Sequence, residues 1–357
     1  MTNPLRAAAR AVFAKRVLVF VDLTQDIDVL LPVILALRAD DALTATVRVS
    51  RWLERESPRT AALLKAHGIP FAYVRRHEVI EGRAPSLRGI AAVIAASESS
   101  HPAHAAGHAL ALRAQAAGLK SYVVQHGLEN VGLIGVEAGA ASFASGTVFC
   151  WFPDAATPET MPSATRAKLA HVGRPEPPGG WAGPRTRPAF DLGVFENLHW
   201  DRYGEADRTA FQAGLTAVAR AMPGARILLR GHPAGAWADG LGHELAQFAN
   251  ITTALAARTR RDVSGAVEIL RGIKRVITTP STIALDAALA GRPVALAVDG
   301  GGLYSPLPVL TSPDDWVRFA SSSDPCRETL DLFRSRVLVL GDGAARIAER
   351  IHRGLLS

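Results

Sequence analysis

Short β-branched runs alternate with longer stretches rich in Ala and Leu along almost the whole chain. That alternation is the pattern of βα units laid on parallel sheets, and it excludes all-α and all-β folds. In the first half the expected strands are Arg16–Leu23, Leu43–Ser50, Phe71–Val74, Gly89–Ala95, Lys120–Gln125 and Thr147–Phe152. Helices including Asp28–Arg38, Pro58–His67 and His101–Ala117 fall between them, the last ending at Gly118 as a C-cap. Residues 173–188 then read GRPEPPGGWAGPRTRP, too dense in Pro and Gly for a helix or a central strand. The alternation restarts beyond it with Phe190–Phe195, Arg226–Arg230, Ile251–Ala254, Arg275–Thr278 and Pro293–Val298, with Glu205–Ala221 and Thr282–Ala290 as helices. Gly343–Leu355 reads as a closing amphipathic helix. A chain of 357 residues fits two domains at roughly 150 residues each. The expected division is 1–175, a linker 176–188, a second domain 189–340 and the closing helix 341–357.

Composition narrows the class. The 20% charged and 48% apolar content is that of a packed globular chain. Forty basic against 33 acidic residues leave +7, spread without a dense basic run; this favours an anionic substrate or an acidic membrane face and speaks against nucleic acid, which calls for a clustered patch. Two distant cysteines, Cys150 and Cys326, offer neither a disulfide framework nor a zinc pattern, as expected in a reducing compartment. No apolar run reaches the ~18 residues of a membrane span. The expectation is a soluble, cytoplasmic, two-domain protein. Its basic lead-in (Arg6, Arg10, Lys15, Arg16) could make peripheral contact with anionic headgroups of the inner membrane.

In open α/β sheets ligands bind outside the C-terminal ends of the strands, so strand ends are where chemistry is sought. An apolar strand stops at Gln125, followed by His126, Gly127, Leu128, Glu129 and Asn130. His126 could take a proton near neutral pH, with Glu129 as a second base or as the group that orients it; the alternative is a turn His bonded to backbone. A second strand runs into Arg230-Gly231-His232-Pro233-Ala234-Gly235, a turn in which Arg230 and His232 could meet a phosphate or carboxylate. A third ends in Thr278-Thr279-Pro280-Ser281-Thr282 before a helix, whose free N–H groups and dipole make an anion site; the alternative is a plain Ser/Thr N-cap. Asp286, a turn into that helix, could reach a ribose hydroxyl. His101, His104 and His108 have the spacing of one helical face but no acid or thiol partner at ligand spacing, so no metal is expected there. Neither GxxxxGK[ST] nor a GxGxxG after the first strand occurs. Gly300-Gly301-Gly302 is expected to form a mobile loop.

At these residues the chain resembles bacterial GT-B glycosyltransferases that use cytidylate-activated donors. The Arg230–Gly235 turn is similar to the HP motif of bacterial sialyltransferases and capsule-type Kdo transferases. Ser281-Thr282 with Leu285-Asp286-Ala287 and Gly291-Arg292-Pro293 resembles their S-S/T motif and following helix. Both features also occur in CDP-glycerol glycerophosphotransferases, to whose HG motif His126-Gly127 is similar. The chain has Gln125-His126-Gly127 where many sialyl- and Kdo-transferases carry Asp-Asp-Gly or Glu-Asn-Gly.

The resemblance implies an α/β fold of the GT-B type, two Rossmann-like domains facing each other across a cleft, the first on the acceptor side and the second binding a nucleotide-sugar donor. It implies a transferase moving Kdo or a sialic-acid-like nonulosonate from a CMP-activated donor to a surface-glycan or lipid-linked acceptor. His232 would contact the cytidylate, Ser281 and Thr282 its phosphate oxygens, and Asp286 the nucleotide's sugar; Arg230, Gly231, Pro233 and Thr279 complete the donor site, and His126 or Glu129 supplies the base. Cationic side chains and a helix dipole can replace a metal, so neither metal nor cofactor is expected beyond the activated donor. The alternatives are a CDP-glycerol-type polyol-phosphate transferase, a UDP-sugar transferase or 2-epimerase, and a non-catalytic nucleotide- or glycan-binding scaffold.

Overall fold

Five consecutive buried residues, Val17 to Val21, close the first strand, a run that only a parallel strand covered on both faces can sustain. The computed structural model describes residues 14–135, 140–181, 188–233, 235–254 and 265–356. Arg6 and Arg10 of the basic lead-in, Ala234 and part of the expected linker (182–187) lie outside the described residues.

The chain divides into two compact units, one running to Pro178 and resuming at Val337, the other Gly179–Arg336. These boundaries differ from the expected 175/176, 188/189 and 340/341. The Pro/Gly-rich stretch is shared out between the units, and the C-terminal segment returns to the first.

In the first unit the elements are β1 (Lys15–Val21), α1 (Asp26–Ala39), β2 (Leu43–Ser50), α2 (Leu53–Glu56), α3 (Pro58–Ala66), β3 (Phe71–Val74), α4 (Arg76–Ile80), β4 (Ala92–Ala95), α5 (Ala105–Ala116), β5 (Lys120–Val124), β6 (Thr147–Cys150), α6 (Ser163–Arg166) and β7 (Leu169–His171). The strands form one parallel sheet in the order β3-β2-β1-β4-β5-β6-β7. Leu18, Phe20, Val93 and Ala95 on one face pack with Ala106, Leu110 and Ala114 of α5.

The second unit carries β8 (Phe190–Glu196), α7 (Glu205–Ala221), β9 (Ile227–Gly231), α8 (Gly242–Leu245), β10 (Ile251–Ala254), α9 (Ala266–Arg271), β11 (Ile273–Thr278), α10 (Thr282–Leu289), β12 (Val294–Leu296), α11 (Pro313–Ser321) and α12 (Arg327–Val337). Its parallel sheet runs β10-β9-β8-β11-β12. Helices α7 and α11 meet where Phe211 and Trp316 pack edge to face, ring centroids 5.3 Å apart. Gly214 makes that approach possible, since a Cβ there would lie 2.4 Å from the Trp316 ring. Burying such an aromatic contributes about 1.5–3 kcal/mol.

The last helix, α13 (Gly343–Leu356), belongs to the first unit and packs on α1. Gly343, Ala344, Ile347, Ala348 and Ile351 form its buried stripe, the helical period that made it legible in the sequence. Val339 N–H donates to Trp151 O at 2.7 Å and Arg346 Nη1 to Val172 O at 2.8 Å, which pins the returning segment.

Both sheets extend in one direction from their first strand (β1-β2-β3, β8-β9-β10) and in the other from the fourth (β4, β11). The strand order therefore reverses between β1 and β4 and between β8 and β11, and ligands of doubly wound sheets sit at the C-terminal ends of such a pair.

Candidate functional site

In the second unit Glu196 ends β8, and its carboxylate accepts from Leu198 N–H at 2.8 Å and His232 N–H at 3.4 Å. Burial raises its pKa. The next residue, Asn197, joins β8 to β11: its N–H donates to Thr279 Oγ1 at 3.0 Å and its Nδ2 to Pro280 O at 2.9 Å. The Oδ1 of Asn197 and both ring nitrogens of His199 are buried with no hydrogen-bond partner, an arrangement that costs about 1–3 kcal/mol per group unless a ligand or water satisfies it. His199 stacks on His232 with ring centroids 4.8 Å apart, and Arg202 donates to Pro280 O at 3.2 Å.

The glycine that closes the Gly-His-Pro turn has a steric reason. A Cβ on Gly235 would fall 2.2 Å from the His199 ring, so only glycine lets the chain pass while His199 lies against His232. Its N–H donates to His232 O at 3.1 Å, which closes the turn. Burial, with His199 alongside, lowers the His232 pKa to about 4. The imidazole is therefore neutral at pH 7.

Ser281 precedes α10 in extended backbone and makes no side-chain cap. Its hydroxyl lies instead 3.1 Å from Thr278 Oγ1. This side chain does not occupy the first amides of the eight-residue helix, of which Ala284 N–H donates to Ser281 O at 3.1 Å. Thr279 is buried, and Asp286 is buried one turn into α10. Arg230 and Gly231 end β9, next to Phe195 and Glu196 of β8 in register. The structure thus brings Gly231, His232, Thr279 and Ser281 to one sheet edge and adds Glu196, Asn197, His199 and Arg202, which the sequence reading missed. The signal was Glu196-Asn197-Leu198-His199, a polar run at the end of the second unit's first strand. Gly300, expected in a mobile loop, packs tightly: a Cβ there would lie 2.4 Å from Tyr304 and 2.9 Å from Pro280.

In the first unit the switch point is more strongly charged. Asp22 follows β1 and accepts from Ser50 Oγ at 2.6 Å and Arg76 Nε at 3.1 Å. Asp26 opens α1 and takes the backbone N–H of Asp22 and Leu23, both at 2.9 Å, and the Ser97 hydroxyl at 2.5 Å. It is wholly buried, and desolvation outweighs those donors, raising its pKa to about 7. Four consecutive groups after β4 hold titratable side chains. Ala96 O accepts from His126 Nδ1 at 3.0 Å, Ser97 donates to Asp26, Glu98 Oε1 meets His108 Nδ1 at 2.7 Å, and Ser99 Oγ lies 2.7 Å from His104 Nδ1. Helix α5 lies close over this segment because residue 107 is glycine; a Cβ there would sit 2.2 Å from Ser97 O.

His126 is held as expected at a strand end. Gln125 locks the turn by donating to Gly127 O at 2.8 Å and accepting from Trp151 N–H at 2.7 Å, and His126 N–H donates to Asn130 Oδ1 at 3.1 Å. Nδ1 donates to Ala96 O, so Nε2 carries the lone pair. Burial lowers the His126 pKa to about 4 and that of His104, edge-on to it at 5.2 Å, to about 3. Glu129 is half-buried and held under the loop that returns at Gly135, whose Cβ would lie 3.0 Å from its Cγ.

The three histidines do not share a helical face. His101 and His104 bracket a short 3-10 turn before α5, and only His108 lies within the helix. Backbone capping by His101 Nδ1 and the Ser99–His104 contact stop the α-helix from starting earlier. Among the described residues no group of three or more His, Cys, Asp or Glu side chains could hold a metal ion, and no helix is long and apolar enough to cross a membrane.

No family model matches the chain and no curated protein matches it in sequence. Its fold does match solved structures. The UDP co-structure of MnaA from S. aureus is 13% identical over 96% of this chain and 97% of its own, with a TM-score of 0.67. The UDP-GlcNAc 2-epimerase of Methanocaldococcus jannaschii, in complex with UDP-GlcNAc and UDP, is 11% identical over 95% of this chain and 100% of its own, TM-score 0.61. The wall teichoic acid polymerase TagF, soaked with CDPG, is 12% identical over 98% of this chain and 93% of its own, TM-score 0.60. The fold class is α/β of the GT-B type, with two parallel sheets of Rossmann-like character.

Proposed function

We propose that the protein is a nucleotide-sugar-dependent enzyme whose substrate is a UDP-sugar, used for 2-epimerisation or for sugar transfer. The observation that carries this is the set of unsatisfied polar groups at the end of β8, Asn197 Oδ1 and the His199 ring, beside the uncapped start of α10. Two of the three similar structures named above hold UDP or UDP-GlcNAc, which supports uridylate over cytidylate. The reading replaces the CMP-donor expectation as the leading one. Kdo or nonulosonate transfer now rests on the Gly-His-Pro and Ser-Thr motifs alone.

Sugar transfer breaks the bond between the anomeric carbon and the diphosphate, whose departing oxygen gains negative charge, and forms a bond to the acceptor oxygen, whose proton goes to the base; 2-epimerisation removes the proton at C2 and returns one to the opposite face, with the diphosphate held throughout. In the second unit the α10 amides, the Ser281 and Thr282 hydroxyls, Arg230 and the neutral His232 N–H are assigned to the phosphates. Gly231 and Pro233 shape the turn, Thr279 fixes Asn197, and Asp286 is assigned to the nucleotide's sugar. Such fixed donors supply the largest catalytic effect, each worth about 10²–10³ in rate. This donor set meets the diphosphate charge without a metal or further cofactor. In the first unit His126, with Nε2 unprotonated, is assigned as the base, and Glu129 is the second candidate. A transfer reaction would take a glycan or lipid-linked acceptor, the latter with peripheral membrane contact that liposome flotation tests.

A second reading has its own observation. His126-Gly127 lies at a strand end in the manner of CDP-glycerol transferases, and TagF shares the fold. The experiment is thermal unfolding with UDP, CDP, CMP and GDP, followed by phosphorus NMR of UDP-GlcNAc turnover. Saturating ligand at 100 times its Kd stabilises by about 2.7 kcal/mol, a shift of several degrees. Protection by UDP that is lost in His232→Ala supports the proposal. Protection by CDP or CMP alone moves the donor to a CDP-polyol or CMP-sugar, and protection by none leaves a scaffold.

A further inference from the structure

On the first unit's sheet a cavity of about 480 Å³, lined by none of the Asp26 and His126 cluster, lies beside β1, β2 and β3. Leu18, Val74 and Ile90, all buried, give it an apolar floor. Its rim carries five arginines, Arg16, Arg48, Arg51, Arg75 and Arg88, against one acid, Glu78. Glu78 pairs with Arg75 at 3.5 Å. Among the described residues no ion pair engages Arg16, Arg48, Arg51 or Arg88; Arg48 Nη1 bonds only the carbonyl of Val47, at 3.0 Å. Five arginines against one acid leave the recess with a net positive charge, which an anion bound there would offset.

The recess is held in shape. Arg113 of α5 reaches under its outer loop and donates to Ala84 O at 2.7 Å and Pro85 O at 3.1 Å. The same loop is tied to β1 by Ala91 N–H to Arg16 O at 2.8 Å, and the end of β2 to β3 by Arg51 N–H to Val74 O at 2.8 Å. Gly89, in left-handed backbone, brings the loop to the Arg16 side chain: a Cβ there would lie 3.7 Å from Nη1. Thr46 adds a hydroxyl to the wall.

We propose that this cavity is a binding site for a phosphate ester carrying at least two negative charges. The planar guanidinium fork matches phosphate oxygens in pairs, and the apolar floor accommodates the organic part. The volume is that of a small-ligand pocket. This site is independent of the nucleotide assignment, because it lies within the first unit and uses none of the residues assigned to the donor. Arg16, which the sequence placed in a membrane-touching lead-in, is here one wall of a recess.

The phosphate could belong to a soluble ester or to a lipid headgroup, and two probes separate these. Calorimetry with inorganic pyrophosphate is run on the full chain, on Arg16→Ala/Arg88→Ala, on Arg88→Glu and on His232→Ala. Both rim variants change exposed side chains and are checked for unchanged circular dichroism. Flotation with phosphatidylcholine vesicles, with and without phosphatidic acid, uses the same four proteins. The expected result is pyrophosphate binding that weakens about tenfold or more in the two rim variants and persists in His232→Ala. Binding only to phosphatidic acid vesicles, lost in the same variants, also supports the site and assigns it to a headgroup. Rim variants that match wild type with both probes, or no binding to either, overturn the proposal.

Discussion

His199 lies flat on His232, ring centroids 4.8 Å apart and planes 28° from parallel, and Gly235 is the residue that lets it do so. Gly235→Ala would drive a methyl group to within 2.2 Å of the His199 ring, forcing the ring off His232. His199 and Gly235 lie outside the helices and strands of the second unit, so circular dichroism should be unchanged. Protection by UDP against thermal unfolding should drop as expected for a roughly tenfold loss of affinity, about 1.4 kcal/mol. Wild-type protection in Gly235→Ala would detach the His199–His232 pair from nucleotide binding.

Ser281 offers a separation of stability from binding. A serine that caps a helix costs about 1 kcal/mol when replaced by alanine, but Ser281 makes no such cap and bonds Thr278 instead. Ser281→Ala should therefore lower the unfolding midpoint by no more than a degree or two while weakening UDP binding severalfold. The opposite pattern, a large midpoint loss with unchanged UDP affinity, would return Ser281 to an ordinary structural role.

Much of this architecture was legible. Leu43–Ser50, Phe71–Val74, Ile251–Ala254 and Glu205–Ala221 occur with the bounds the pattern gave, because short β-branched or aromatic runs bounded by turn residues and an amphipathic helix leave clear limits. The edge strand β7 has three residues and no run to detect. Helix α11 went unread although Ser312-Pro313-Asp314-Asp315 is a capping box with Pro at the first position. Of the candidate site residues, His126, His232 and Ser281 stand where Gly, Pro or a helix start marks a strand end or turn locally, so their places in the fold could be read from the sequence. Asp26 lies between the expected strand Arg16–Leu23 and the expected helix Asp28–Arg38 with no motif around it; what distinguishes it is Ser97, 71 residues away. His199 likewise has meaning only through a turn that begins 33 residues later, a relation made by the strand order and absent from any local window.

Asp26 sets an unusual pH response. Its folded pKa of about 7 lies above the unfolded 3.8, so the folded state binds the extra proton between these values, and its contribution falls as pH rises through that window. His104, His126 and His232, folded values about 3, 4 and 4 against 6.5 unfolded, act oppositely. Their contribution is full above 6.5 and is lost as pH falls towards 4. Asp26→Asn keeps an acceptor for the two backbone amides and removes the opposing titration. Its stability should therefore rise more steeply with pH than that of wild type between about 4.5 and 6.5, by up to about 1.4 kcal/mol per pH unit. Parallel urea-stability curves for the two proteins across that range would contradict the protonated Asp26.

The base assignment makes the sharpest claim on the reaction. His126 is already neutral at pH 6, because burial holds its pKa at about 4, and Ala96 O fixes the tautomer that leaves Nε2 open. The acid limb of kcat/KM should therefore lie near pH 4 to 5 and not near 6.5, provided the fold survives there by circular dichroism. His126→Gln keeps a hydrogen bond to Ala96 O within reach but has no lone pair of comparable basicity. It should lower kcat by about 10²–10⁴ with the UDP-sugar KM within a fewfold of wild type, since the residues assigned to the nucleotide are in the other unit. Glu129→Gln is the companion measurement. A loss of that size in Glu129→Gln with His126→Gln near wild type would transfer the base to Glu129 and leave His126 as the group that holds the Gln125–Asn130 turn.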